Sequence, residues 1–147
     1  MVEIVPPYIR ESDGAVTAGS TSNVPNVWDL DFPEKDLSFI RIDHQTRLQF
    51  GPTEVVIESP FVLRTPTHEA QLDPGERGGL GILLELYPTA MVSASIDANA
   101  TLDLSLANGY SISVPADPQY EAWQVNGPGT FLVVCVPGSS GQLAIWK

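Results

Sequence analysis

Leu102-Asp103-Leu104-Ser105-Leu106-Ala107-Asn108-Gly109-Tyr110-Ser111-Ile112-Ser113-Val114 decides the fold. Leucines alternate with polar residues before Asn108-Gly109, and apolar residues alternate with serines after it, the period of two expected of strands with one buried face. Asn-Gly invites a two-residue hairpin turn. That register, however, sets Leu106 opposite Ser111 and Leu104 opposite Ser113, with leucines beside serines on one face. A three-residue loop, Ala107-Asn108-Gly109 with Gly109 left-handed, instead sets Leu106 opposite Tyr110, Leu104 opposite Ile112 and Leu102 opposite Val114. The sequence therefore predicts an antiparallel hairpin closed by the longer turn.

The same alternation continues upstream, where Val92, Ala94 and Ile96 interleave with Ser93, Ser95 and Asp97. Further upstream, Ile40 and Ile42, Leu48 and Phe50, and Val55 and Ile57 each fall two apart, with Arg41, Gln49 and Val56 on the opposite face. This predicts a three-stranded meander turning at Asp43-His44-Gln45-Thr46 and Gly51-Pro52-Thr53, followed by a short strand at Phe61-Val62-Leu63. Downstream, Tyr120–Val125, Phe131–Val136 and Leu143–Trp146 read as three more strands. Phe131–Val136 has no polar position, which predicts a place at the centre of a sheet covered on both faces, or in a barrel. One helix is expected: Asp73-Pro74-Gly75-Glu76 suits a helix start, and Leu80, Leu83, Leu84 and Tyr87 follow at α-helical spacing before Pro88. The fold class is α+β, mainly antiparallel sheet in meanders and hairpins, sandwich- or barrel-like, with one short helix and an extended N-terminal arm.

That arm is residues 1–36, rich in Pro, Ser, Thr, Asn and Gly, and acidic; residues 37–147 form the single β-rich domain. Within the arm, Val27-Trp28-Asp29-Leu30-Asp31-Phe32 is apolar enough to dock on the domain or on a partner, Asp13–Asn23 reads as its looser part, and Val2–Val5 as a further edge strand.

The 147 residues suffice for one domain with a core of its own. Cys135, the sole cysteine, sits among Val133, Val134 and Val136 and reads as a buried, inert thiol. No apolar run approaches the about 18 residues that span a bilayer, and Met1-Val2-Glu3-Ile4-Val5-Pro6-Pro7 lacks the basic and apolar regions of a signal peptide. A cytoplasmic protein is expected. Its net charge of −11 repels phosphate backbones and anionic lipid, so nucleic acid and membranes are poor partners and a basic protein is a better one.

Candidate chemistry is sparse. His44 and His68 lie in turn and loop sequence without companions at metal-ligand spacing, and both read as solvent-facing. Gly138-Ser139-Ser140-Gly141 is a turn rather than a nucleophile elbow, and Gly75–Gly81 lacks the lysine of a phosphate loop. Asp97-Ala98-Asn99-Ala100-Thr101-Leu102-Asp103 has the oxygen spacing of half a calcium loop, but it lacks the mid-loop glycine, and Leu102, Leu104 and Leu106 serve better as a strand. No metal, cofactor or catalytic residue is assigned. Trp28, Asp29, Asp31, Glu34 and Asp36, an aromatic anchor among carboxylates, are the candidate partner-binding residues. The competing reading tucks Trp28 and Phe32 onto the domain's own core. Glu121 is expected to face solvent or to pair with Arg41, Arg47 or Arg64.

Asp117-Pro118-Gln119-Tyr120-Glu121-Ala122-Trp123-Gln124-Val125-Asn126-Gly127, with Val134-Cys135-Val136-Pro137-Gly138 and Leu143-Ala144-Ile145-Trp146, resembles a group of small bacterial, often actinobacterial, proteins of unassigned function. The likeness extends upstream through Leu102–Val114 and Leu48–Ile57. Part of that group resembles immunity proteins of toxin systems, which implies a non-enzymatic inhibitor bound to a toxin and carries over no catalytic residue. The expected function is a protein-binding domain for a basic partner, immunity- or antitoxin-like. The alternatives are a small-molecule-binding protein or hydrolase using carboxylates in a sheet–helix cleft, and a structural or oligomerisation module.

Overall fold

The structure is a computed structural model and describes residues 8–16, 24–138 and 142–146. In chain order its strands are β1 Ile9–Glu11, β2 Asn26–Leu30, β3 Phe39–Ile42, β4 Thr46–Phe50, β5 Thr53–Ile57, β6 Phe61–Arg64 and β7 Glu69–Leu72. A 3-10 helix, Arg77–Leu86, comes next. It is followed by β8 Met91–Asp97, β9 Leu102–Leu106, β10 Ser111–Val114, β11 Trp123–Asn126, β12 Leu132–Val136 and β13 Gln142–Trp146. Every pairing among them is antiparallel. One sheet runs β1-β2-β8-β9-β10-β6-β7 and the other β13-β12-β11-β5-β4-β3. Their inner faces share one core cluster, which makes the fold a β-sandwich.

The β9–β10 hairpin has the register expected from the sequence: Leu104 faces Ile112 and Leu102 faces Val114. Leu106 N–H donates to Tyr110 C=O at 2.9 Å, and Gly109 takes φ +86°. This register aligns two rows across the first sheet. Leu30, Ala94, Leu104, Ile112, Leu63 and Ala70 stand in line on the inner face. Asp29, Ser95, Asp103, Ser113, Val62 and Gln71 form the outer row.

The sheets are tied at one end by Trp123. Its indole is fully buried, and Nε1–H donates to Ala100 C=O at 3.0 Å across the sandwich. Ala100 adopts φ +62° in the β8–β9 turn. The turn is held by the Asp97 carboxylate, which accepts from the backbone N–H of Asn99 at 2.8 Å and of Thr101 at 3.0 Å. The oxygen of Asp97 that imitated a calcium ligand is thus a turn cap.

Three local expectations are corrected. Asp73 does not cap the helix: it accepts from Gly75 N–H in a turn of its own, and the helix starts after Glu76 without a side-chain cap. The strand expected from Tyr120 begins only at Trp123, because the Asp117 carboxylate binds the N–H groups of Gln119 and Tyr120 and holds that segment as a loop. Apolar β12 lies next to the edge strand rather than at the centre. Val133 and Cys135 face the core, while Leu132 and Val136 are half-buried on the other side.

In the segment read as an arm, Ile9 and Leu30 are buried, and β1 and β2 run along the first sheet beside β8. Phe32 packs edge-on against Phe50 with ring centroids 5.5 Å apart. Val2–Val5 and most of the looser stretch lie outside the described residues.

Candidate docking groove

A leucine at every third position, Leu80, Leu83 and Leu86, determines how the helix sits. A 3-10 helix has three residues per turn, so these side chains eclipse one another, and all three are buried in the core. An α-helix would instead have grouped Leu80, Leu83, Leu84 and Tyr87, as the sequence reading expected. With the tighter turn Leu84 faces outward at 72% exposure, and Tyr87, the extended residue that ends the helix, is 56% exposed. Glycines 78, 79 and 81 disfavour α-helix, which is consistent with the tighter form.

Leu84 and Tyr87 lie beside β3, the last strand of the second sheet. With Ser38, Phe39 and Ile40 they line an open groove of about 330 Å³. Phe39 is 51% exposed, and Ile42 further along β3 is exposed too. Three carboxylates lie near its lining residues in the chain. Glu34 lies over Gly51, whose N–H donates to Ser38 Oγ at 3.1 Å. Asp36 is exposed and bridges Ala90, just beyond Tyr87. Glu85 follows Leu84 and accepts from the Tyr110 hydroxyl at 3.4 Å. Burial, and then the nearby Glu85 carboxylate, raise the pKa of that phenol.

The five candidate partner-binding residues do not form one patch. Trp28 is half-buried and lines a slot between the sheets with Val27, Leu143 and Ile145. Asp29 and Asp31 border a different cleft with Arg10 and Lys35, and Asp31 is ion-paired to Arg10. Glu34 and Asp36 lie in the segment that leads into the groove's Ser38 and Phe39. The sequence gives Phe39 and Glu85 no binding role and places Leu84 and Tyr87 on the helix's core-facing stripe. The signal for Leu84 was the period of three in the leucines.

Four arginines are ion-paired among the described residues. Arg10, Arg41, Arg47 and Arg64 pair internally with Asp31, Asp43, Asp43 and Glu54, and Glu69 respectively. Asp43 is held below the usual carboxylate range by the Gln45 N–H, then by Arg47 and Arg41. The surplus negative charge therefore sits on other carboxylates, Glu34, Asp36 and Glu85 among them.

Residues 28–147 match a family described as being of unknown function, DUF6188. The chain belongs to this family. The match begins at Trp28, so the family unit includes the groove and both sheets but not β1. No curated protein and no solved structure matches the chain.

Other side chains are accounted for locally. His44 is exposed, and His68 is exposed with Nδ1 within hydrogen-bonding distance of Thr65 and Thr67. Glu121 is exposed and shares an open cleft of about 400 Å³ with His44, Gln45, Glu58 and Tyr120. Burial pushes the Cys135 thiol up to about 11, beyond nucleophilic use near neutral pH. Asp103, in the outer row of the first sheet, is raised by burial against the hydrogen bond from Ser113. No helix of the described residues is long and apolar enough to cross a membrane.

Proposed function

We propose that the chain is a non-enzymatic protein-binding domain whose partner presents a basic surface. One observation carries the reading: large apolar side chains, Phe39, Leu84 and Tyr87, stand open in a groove, on a chain of net charge −11 with Glu34, Asp36 and Glu85 close in sequence to the lining residues. Aromatic and aliphatic anchors within a polar rim are the anatomy of a protein interface, and uncompensated carboxylates speed the approach of a cationic partner. The resemblance of the closing strands to a bacterial group, part of which is similar to immunity proteins, supports a toxin domain as the partner and a bacterial, cytoplasmic setting. Co-expression with the product of the adjacent gene tests this. The account expects co-purification, rescue from that product's toxicity, and affinity that falls at least tenfold between 50 and 500 mM salt. Affinity insensitive to salt, or no association, refutes it.

A second reading rests on the cleft where His44, Glu58, Tyr120 and Glu121 converge, a set suited to a small cationic ligand or to acid–base hydrolysis. Loss of a measured ligand affinity or hydrolysis on Glu121→Gln, with partner binding untouched, would favour it over the groove.

A further inference from the structure

We infer that the groove receives its partner as an extended strand, added to the free edge of β3, with large apolar side chains in the groove and lysines or arginines beside the acidic rim. This rests on the protein-binding reading and specifies the form in which the partner binds.

β3 is the terminal strand of its sheet, and among the described residues no strand pairs with its outer side. Its hydrogen-bonding phase follows from the hairpin. Ile42 stands opposite Thr46, and the hairpin closes with Asp43 N–H donating to Gln45 C=O at 3.0 Å. In an antiparallel ladder that bond makes Ile42–Thr46 a non-hydrogen-bonded pair and Arg41–Arg47 a hydrogen-bonded one, and the alternation makes Ile40–Leu48 non-hydrogen-bonded. Ile40 and Ile42 therefore direct their N–H and C=O groups away from β4, where an added strand would meet them.

The groove lies along this same edge, since Phe39 and Ile40 form one wall and Leu84 and Tyr87 the other. An entering strand would thus gain main-chain bonds and apolar contacts together. Charge selects the occupant. Arg41 on β3 is paired with Asp43 at 3.3 Å, which offsets part of its charge toward a cationic strand. Glu34, Asp36 and Glu85 repel an acidic one. A second copy of this chain, at net charge −11, is disfavoured by the same field.

The probe is an acetylated, amidated nonapeptide alternating lysine with valine and phenylalanine, titrated against the full chain by fluorescence anisotropy and by amide hydrogen exchange. Two further peptides carry backbone N-methyl groups, one at odd positions and one at even positions. Only alternate amides of an added strand face β3, so one methylated series should lose at least tenfold in affinity and the other less than about threefold. The Ile40 and Ile42 amide protons should exchange at least tenfold more slowly when the unmethylated peptide is bound.

Equal behaviour of the two series, or protection outside β3, overturns strand addition. If the unmethylated peptide then still binds in a salt-sensitive way and Leu84→Asp abolishes it, the basic-partner reading survives alone. No binding at low salt removes both. A dimer with Ile40 and Ile42 protected without peptide assigns the edge to a second copy and overturns the inference.

Discussion

Leu83→Ala, Leu84→Ala and Leu86→Ala, compared side by side, test the turn that creates the groove. Leu83 and Leu86 are fully buried, so truncating either removes core contacts and leaves a cavity, at a cost of about 2–5 kcal/mol. Leu84 is 72% exposed, and its truncation should stay within about 0.5 kcal/mol of the parent. For a chain of this size a cost near 3 kcal/mol shifts the melting temperature by roughly 6–12 °C, and at a slope of about 1–3 kcal/mol per molar it moves the urea midpoint by about 1–3 M. Urea unfolding followed by tryptophan fluorescence reads this directly, because Trp123 is buried in the core. An α-helical arrangement predicts the opposite pairing, with Leu84 expensive and Leu86 cheap. Leu84→Ala costing as much as Leu83→Ala would refute the 3-10 geometry, and with it the outward position of Leu84.

Trp123→Phe should cost about 2–4 kcal/mol, since it shrinks a buried ring and leaves the Ala100 carbonyl without its 3.0 Å indole donor; chemical denaturation measures it, and a near-neutral result contradicts that tie between the sheets. Cys135 should resist an aromatic disulfide reagent at pH 8 in the native protein and react at once in denaturant, because burial both shields it and pushes its thiol to about 11; native-state labelling within minutes would be the contrary result. Asp103 holds its proton more tightly folded than unfolded, so the folded state binds more protons as pH rises from the ordinary value of 3.8 through the raised one. Stability from this group is therefore fully present at lower pH and is lost across that window. Asp103→Asn, which keeps an acceptor for Ser113, should raise the melting temperature at pH 7 and flatten the profile at acid pH. A lower melting temperature at pH 7 would show the ionised carboxylate to be favourable there.

The sheet was legible in the sequence where leucines alternate with polar residues, but Val92, read in line with Ala94 and Ile96, is 64% exposed because the ladder shifts register between Met91 and Ser93. Leu102–Val114 settled its own register, because a slip of one residue would have put leucines beside serines. Phe131–Val136 misled for the opposite reason: with no polar position it reported burial without reporting which side, and β12 proved to be one strand from the edge. The helix was visible but its period was not. Leu80, Leu83, Leu84, Leu86 and Tyr87 satisfy both 3.6 and 3.0 residues per turn in part, so hydrophobic spacing does not distinguish the two. The same ambiguity concealed the groove, since the outward position of Leu84 follows from the tighter turn and Tyr87 lies just past the helix end in extended conformation. The carboxylates were conspicuous as charge in one sequence segment, yet β2 distributes them. Trp28 lines the slot between the sheets, Asp29 and Asp31 border the Arg10 cleft, and Glu34 and Asp36 lie in the segment leading into the apolar strip.

The groove and the proposed function meet in one side chain. Leu84→Asp places a charge on a residue the core does not use, so the fold should persist with an unchanged melting temperature. Its effect on affinity for the co-purified basic partner, measured by calorimetry, is the most direct test of the central claim. A loss of about thirtyfold or more, the scale of an interface anchor, is the expected result. Binding within twofold of the parent protein would contradict the claim that this groove is where the partner docks.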